Sequence, residues 1–588
     1  MRRPGDKKSS SPTRVQYAPR TTHPEPASHS RFTIDAFILD LKMTNWINRN
    51  SPLLLVTGLV VLYILSALIN LGQFNLQGEE PRRAIISIEM MESGDYLVPH
   101  ALGWEYYNKP PLFNWILSGF MYVCGSSSEF VSRLPSLIFL LVWGFCHYLV
   151  CRRWFNKNLS LLSTLFLLTS ADIYFYGLAN GAEIDIFYSL VVYLQVVAMF
   201  WFYEQRKWWP LFLLSYLCCS IGFLTKGLPS LMFQGLTLAA LCVHAKSIRL
   251  LFRPQHLAGI LLFVLVAGSY FYAYSRHGDP SIMLINIVNE SLKKSAVGEE
   301  SVGRLHKILS YPVLLFKLLA PGCLVLLVLF KRQRYTLFDN PLVKFSLLFF
   351  LFNIGVYWFT GIAKLRYVYM FVPFAMNIFV HFYAQFEKRN PGLFDKYLKY
   401  AGVVFGIALA GVLALPFFFE INIWSVIGSA ILLLVFLVNY FRLADHRIWF
   451  FITGMILLRL VYAAIGIPIQ SKGMADYRPI MANVAAKSDG ERVHFYLPPD
   501  TLNLDVEVGA KFHKWDKPPV IVPPFLIHQI PYYYHCYSGK VMQYDTAILP
   551  GKVYLSYRSL LKNKEISEFY QAFDKRTKDS LVLFRLVH

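Results

Sequence analysis

The sequence predicts a polytopic α-helical membrane protein with about thirteen transmembrane helices and a C-terminal soluble α/β domain. Three observations carry this. The 588-residue chain is 55% hydrophobic and only 16% charged, against about 25% charged in a typical soluble domain. Apolar segments recur between Leu53 and Gln470, each long enough to cross a hydrocarbon core of about 30 Å, which takes about 20 helical residues. Lys and Arg collect in alternate short connections between these segments, as the positive-inside rule requires.

Taken in order, residues 1–44 are polar and rich in Ser, Pro, Arg and Lys, which reads as a disordered cytoplasmic tail. Leu53–Leu71 contains no charge. It lies too far into the chain for a cleavable signal, is too long for an h-region and lacks a small-residue cleavage site, so it is expected to remain as an anchor. Further spans are expected near 130–150, 158–178, 184–203, 208–224, 228–245, 256–275, 310–330, 342–361, 366–384, 399–419, 422–442 and 448–468. With the N-terminus inside, the basic clusters Arg152-Arg153, Arg206-Lys207, Lys246 to Arg253, Lys331 to Arg334, Lys388-Arg389 and Arg442 to Arg447 all fall on one side. An odd number of spans then places everything after Lys472 outside. Two long outside loops are expected, near 72–129 and 276–310. The domain plan is therefore a tail (1–44), a transmembrane catalytic domain (45–471) and an external α/β domain (472–588). The last is marked by β-rich runs at Val493–Leu497, Val520–Val522, Lys552–Tyr557 and Leu581–Phe584. In the same domain, Tyr532-Tyr533-Tyr534 reads as a strand edge or a membrane-interface belt.

The formal charge of +21 follows from the inside bias and the tail, so nucleic acid is not an expected partner. Eight cysteines include no CxxC pair, and neither a disulfide framework nor a zinc site is indicated.

The exceptions to the charge rule carry the chemistry. The first outside loop opens Gly78-Glu79-Glu80-Pro81-Arg82-Arg83, continues through a helix-compatible stretch and reaches Tyr106-Tyr107-Asn108-Lys109-Pro110-Pro111. Pro81 suits the first turn of a helix, which sets Glu79 or Glu80 at its N-terminus. Asp185 sits at the start of the next outward-facing span, where a carboxylate is costly and therefore suspect as functional. Lys226, Lys364 and Arg366 lie, with Arg82, Arg83 and Lys109, on the side where basic residues should be scarce. Cations at the mouths of several helices suit an anionic ligand, and phosphate is the natural one because Arg and Lys make charge-assisted bonds to its oxygens. The stretch near 286–306 reads either as a loop over the substrate cavity or as an amphipathic interfacial segment.

The acidic pair with Pro-x-Arg, the run Ser93-Gly94-Asp95-Tyr96-Leu97-Val98-Pro99-His100 and the Asn-Lys-Pro-Pro element resemble the first periplasmic loop of the aminoarabinose transferase family. This is a bacterial branch of the GT-C superfamily related to protein O-mannosyltransferases. Arg133-Leu134-Pro135-Ser136, Phe223 to Gly227 and Lys364 to Tyr367 are similar to the family's elements in the same order. The resemblance covers roughly residues 50–375. It implies a GT-C fold in a bacterial inner membrane with the C-terminal domain periplasmic. It also implies an enzyme that takes a sugar from a polyprenyl-phosphate donor and passes it to a glycolipid such as lipid A, or to a protein acceptor.

By resemblance Glu79 occupies the place of the family's catalytic acid, usually Asp, with Glu80 as its rival. Asp185 corresponds to the second carboxylate, and Arg82, Arg83, Lys109, Lys226, Lys364, Arg366 and Tyr367 are the candidate donor-phosphate contacts. Arg83 and Asn108 depart from the aminoarabinose transferase pattern of Tyr and Glu, which argues against assuming the same donor sugar. No cofactor is expected, no metal ligands are assigned, and a divalent metal stays open. A protein O-mannosyltransferase-like enzyme and a lipid-linked-sugar transporter are the alternatives. A transporter is expected to show internal repeats and polar groups near mid-membrane, whereas these charges gather at one face.

Overall fold

The computed structural model describes residues 56–178, 181–294, 301–331, 333–359, 364–442, 447–474, 476–498, 529–561 and 564–587, without the side chains of 290–305, 307 and 359. The expected tail (1–44) and the expected run Val520–Val522 lie outside the described residues, as do the side chains of Lys293 and Lys294. The chain divides into two compact units, residues 1–61 and 62–588. Of the first, the described residues 56–61 are helical.

Among the described residues nine helices are long and apolar enough to cross a membrane. A tenth candidate is the pair Ile308–Leu319 and Gly322–Phe330, bent by 113°. The remaining expected spans fall on shorter apolar helices, Val56–Leu68, Lys157–Leu168 and Pro229–Ala245, so the expected thirteen are not all met by length. The reasons are local. Lys157–Leu168 ends at Thr169, and the chain then runs on through the π-helical turn Asp172–Gly177. Pro229–Ala245 stops where Lys246 turns left-handed at φ 52°. Two short helices, Glu80–Ser93 and Leu112–Cys124, occupy the first long loop, and Pro280–Lys294 begins the second.

Helices pack closely where small residues let them. A Cβ on Gly222 would lie 2.7 Å from Ser230 Oγ, so Gly222 permits the approach of Trp208–Lys226 to Pro229–Ala245, as small residues do between membrane helices. From Pro229–Ala245 to helix Asp185–Glu204, Ser230 Oγ donates to the Tyr188 hydroxyl (3.2 Å) and Gln234 Oε1 accepts from Gln195 Nε2 (2.7 Å). These bonds fix the register of Asp185–Glu204, whose first residue is a candidate site carboxylate.

The chain beyond Lys472 forms a five-stranded mixed sheet in the order Gln543–Asp545, Val493–Tyr496, Val553–Tyr557, Asp579–Leu586, Ile566–Asp574. The first three strands run parallel and the last two pair antiparallel to their neighbours. Helices Arg478–Lys487 and Gln529–Ser538 accompany the sheet. One continuous core joins its apolar residues (Val493, Phe495, Leu555, Leu581) to Ile85, Ile88, Leu102 and Leu117 of the first loop. The tyrosine triplet is part of that junction. Tyr532, Tyr533 and Tyr534 are buried on a helix, not displayed on a strand edge or in an interfacial belt, because their rings fill the contact between this domain and the first loop.

Candidate active site

Glu79 is the N-cap of helix Glu80–Ser93, with Pro81 in the first turn. A proline there is preset for helix and lacks only an N–H that would be unpaired anyway. Gly78, in front of the cap, has φ +58°, and a Cβ on it would lie 3.4 Å from a Glu183 oxygen. The turn thus needs a residue that accepts left-handed geometry beside another carboxylate. The cap aims Glu79 into an open cavity lined also by Arg82, Arg83, Tyr106, Asn108, Lys109, Glu183, Ile184, Asp185, Lys226, Arg366 and Tyr367. Glu79 Oε2 lies 3.0 Å from Arg82 Nη1 and 3.9 Å from Arg83 Nη2. Helical spacing places both cations on its side, at i+3 and i+4. The Glu79 side chain is 37% exposed, whereas the two arginines are nearly buried.

The opposite wall comes from three other helix ends. Asp185 opens helix Asp185–Glu204, and Lys226 closes Trp208–Lys226. Lys226 Nζ lies 2.5 Å from Asp185 Oδ1 and above the rings of Tyr367 (4.4 Å) and Tyr188 (4.9 Å). Arg366 Nε is 3.5 Å from Asp185 Oδ2, and Arg366 Nη1 is paired with Glu183. Aromatic faces attract cations by their quadrupole, so Tyr367 steadies Lys226 and Arg366 (5.7 Å) without adding negative charge. Arg83 lies over Tyr106 at 5.6 Å.

Burial, followed by the neighbouring charge of Asp185, pushes the Glu183 carboxyl up to about 8 against the opposing pull of Arg366. Its protonated form is therefore favoured near neutrality, and ionisation above about pH 8 places an extra negative charge against Arg366. An anion held by Arg366 is then expected to bind less well as pH rises from 7 to 9. Glu183→Gln should flatten that dependence, as measured by titrating polyprenyl phosphate into purified protein at stepped pH.

Of the sequence-derived candidates, Glu79, Asp185, Arg82, Arg83, Lys109, Lys226, Arg366 and Tyr367 meet in this cavity. Two do not. Lys364 is exposed and does not line it, because the turn Leu365–Phe371 begins one residue later and carries Arg366 and Tyr367 inward instead. Glu80 is fully buried and faces away from it. Its oxygens accept from Arg133 Nε (2.9 Å) and Nη2 (2.8 Å), and from the backbone N–H groups of Gln77 (2.8 Å) and Ala182 (3.0 Å). That set of partners suits a structural anchor, since a buried carboxylate with four donors has no capacity left for a substrate proton.

Glu183, two residues before Asp185, was missed as a cavity residue. Its place in Asn180-Gly181-Ala182-Glu183-Ile184-Asp185 could have marked it. The loop element Tyr106 and Asn108 reaches the cavity beside Lys109. The second expected loop contributes Ile287 of helix Pro280–Lys294, packed against Gly227, where a Cβ would lie 2.7 Å from the Ile287 side chain at φ +82°. Among the described residues no group of three His, Cys, Asp or Glu side chains is placed to hold a metal ion.

A family profile described as dolichyl-phosphate-mannose-protein mannosyltransferase matches residues 108–272. An undecaprenyl phosphate-α-4-amino-4-deoxy-L-arabinose arabinosyl transferase of Aeromonas salmonicida is 30% identical over 253 residues, covering 41% of this chain and 42% of that protein. The protein of the same description from Edwardsiella ictaluri is 28% identical over 225 residues, covering 37% and 40%. The chain thus spans about two fifths of the length of these curated relatives. The crystal structure of ArnT from Cupriavidus metallidurans bound to undecaprenyl phosphate superposes with a TM-score of 0.63 at 17% identity, covering 92% of this chain and 98% of that one. The chain therefore has the GT-C type of multi-pass membrane fold with a C-terminal β-containing domain. It resembles the aminoarabinose transferases and the protein O-mannosyltransferases.

Proposed function

We propose that this chain is an integral-membrane glycosyltransferase that moves a sugar from a polyprenyl-phosphate donor to an acceptor hydroxyl or phosphate, with lipid A or a related glycolipid as the favoured acceptor. One observation carries the reading. A single cavity gathers the half-exposed carboxylate of Glu79 and five cations delivered by four segments of chain, Arg82 and Arg83 from one and Lys109, Lys226 and Arg366 from the other three. The relatives named for undecaprenyl-phosphate sugar transfer support it.

The chemistry follows from the charges. With a hydroxyl acceptor, its oxygen bonds to the anomeric carbon as the bond from that carbon to the phosphate oxygen breaks, the electron pair leaving on the phosphate. The hydroxyl proton passes to Glu79, whose carboxylate is held against Arg82 and Arg83. Lys109, Lys226 and Arg366 neutralise the charge that grows on the departing phosphate, an electrostatic contribution that strengthens toward the transition state. Asp185 holds Lys226 and Arg366 in place through its two oxygens, so its role is to orient basic neighbours. Attack opposite the leaving group inverts the anomeric configuration.

In this reading the cavity and the domain beyond Lys472 lie on the periplasmic side of a bacterial inner membrane, with the N-terminus cytoplasmic, and the alternation of basic connections supports that orientation. Membrane-impermeant thiol reagents applied to intact cells should then label Lys364→Cys and Asp489→Cys but not Arg206→Cys, in a background lacking the exposed Cys124 and Cys536. The reverse pattern would invert the topology.

The decisive experiment is incubation of the purified protein with polyprenyl-phosphate sugars and candidate acceptors, following release of the free carrier. Carrier release coupled to acceptor glycosylation is expected. Sugar carrier crossing a vesicle membrane unchanged would favour a transporter instead. Lys109→Ala and Arg366→Ala should each weaken donor binding by about 1.5–3 kcal/mol, the worth of one charge-assisted bond. Unchanged donor affinity in both would return these residues to contacts with lipid headgroups.

A further inference from the structure

The segment Leu71–Gln77, which delivers Glu79 to the cavity, belongs to no regular element beyond turns. Its backbone groups must therefore be satisfied from elsewhere, and side chains do it almost one by one. Arg133 donates to the carbonyls of Leu71 (2.8 Å), Phe74 (2.7 Å) and Asn75 (3.1 Å). The remaining anchors come from the end of the last membrane helix and from the domain beyond it. Arg478 Nη2 and Ser471 Oγ both donate to the Gln73 carbonyl at 3.3 Å. At Leu76 the grip is two-sided, since its N–H donates to the Tyr533 hydroxyl (3.2 Å) and its carbonyl accepts from Gln529 Nε2 (2.5 Å).

Gln529 and Tyr533 stand one turn apart on helix Gln529–Ser538, so a single rigid face holds both backbone polar groups of one residue. Both are nearly inaccessible, at 7% and 1% exposure. Each is itself held: Arg576 Nη1 lies 3.4 Å from Gln529 Oε1, and the Arg478 guanidinium lies 5.7 Å from the Tyr533 ring. Leu76 is three residues before Glu79, and between them stand Gln77, whose N–H donates to Glu80 Oε2 (2.8 Å), and the left-handed Gly78. The Glu79 turn is thus held from two sides, by the Glu80–Arg133 pair and, at Leu76, by the C-terminal domain.

We propose that Tyr533 and Gln529 are positioning residues for Glu79, so that the C-terminal domain sets the geometry of the catalytic carboxylate rather than merely resting on the bundle. The inference rests on the reading of Glu79 as the base. A displacement of about 1 Å at a reacting group can cost on the order of 100-fold in rate, and losing one of two bonds to the Leu76 backbone permits a shift of that order. The donor phosphate is held by cations on other elements, so donor binding should not follow.

The same helix supplies its own control. Tyr532, equally buried, donates its hydroxyl to the Ser127 carbonyl at 2.7 Å, a docking bond to the far end of the first loop that does not touch residues 71–79. Full-length protein carrying Tyr533→Phe, Gln529→Glu or Tyr532→Phe would be assayed for kcat, for donor KM and for thermal melting in detergent, beside wild type and Glu79→Gln. The expected result is kcat lowered roughly 10- to 100-fold by Tyr533→Phe and by Gln529→Glu, with donor KM within about twofold of wild type, and kcat kept by Tyr532→Phe. If one positioning variant does not fold, the other decides.

Unchanged kcat in Tyr533→Phe and Gln529→Glu overturns the proposal. So does an equal loss in Tyr532→Phe, which would mean that general docking, not the Leu76 grip, is at work. If wild type itself transfers no sugar, or Glu79→Gln is as active as wild type, the reading of Glu79 as base fails first and is recognised separately.

Discussion

Glu79→Gln is expected to abolish turnover while leaving donor binding intact. The substitution keeps the size of the side chain and one of its acceptors but removes the charge and with it the capacity to take a proton. A general base supplies about 10²–10⁴-fold in rate, so kcat should fall by at least that order. Donor affinity measured by titration should stay close to wild type, because the phosphate is assigned to Lys109, Lys226 and Arg366 on other walls of the cavity. Two arginines beside Glu79 sharpen the expectation, since replacing the acid leaves their charge less compensated and cannot weaken an anionic donor. Glu79→Asp should retain substantial activity if the shorter arm still reaches from the helix cap. Full turnover in Glu79→Gln would remove the residue from the chemistry altogether.

The path from sequence to this site was open at some residues and closed at others, for reasons of range. Arg82, Lys109, Lys226 and Arg366 were legible because positive charge on the wrong side of an alternating pattern is a local signal read against a global rule. Glu79 and Glu80 could not be separated, since adjacent residues at a helix start share every local property. What divides them is Arg133, 53 residues away from Glu80, which claims one carboxylate and leaves the other to the cavity. The motif around Arg133 was visible, but its partner was not. Glu183 does not stand out in the sequence because the neighbouring Asp185, at the start of an apolar span, is the more conspicuous carboxylate; only the fold brings both side chains to Arg366. In the C-terminal domain the runs around Val493, Val553 and Leu581 were found because they are apolar. The edge strand Ile566–Asp574, exposed along much of its length, carries too many polar residues to stand out. Tyr532–Tyr534 misled because three aromatic residues in a row suit a strand or an interface equally, and their helix is imposed by tertiary packing.

Breaking the Glu80–Arg133 pair is expected to have the largest effect on stability. Both side chains are fully buried, and between them they tie four stretches of chain: the Leu71–Asn75 carbonyls, the Gln77 N–H, the Ala182 N–H and helix Glu129–Cys151 that bears Arg133. Removing one member of a buried ion pair strands the other's charge in a poorly solvating site and costs about 3–5 kcal/mol. Glu80→Gln and Arg133→Met should therefore each lower the melting transition in detergent far more than Glu79→Gln, whose side chain is partly in solvent. The double variant Glu80→Leu with Arg133→Met separates charge from connection. It leaves no stranded ion, so it should melt above either single variant, as replacement of buried pairs by apolar residues often permits. Transfer should nevertheless stay low, because the peptide groups at Leu71, Phe74, Gln77 and Ala182 have lost the side chains that register the Glu79 turn against the Glu183–Asp185 loop. Recovery of activity together with stability would mean that the pair serves folding alone and that the two acid-bearing loops find their places without it.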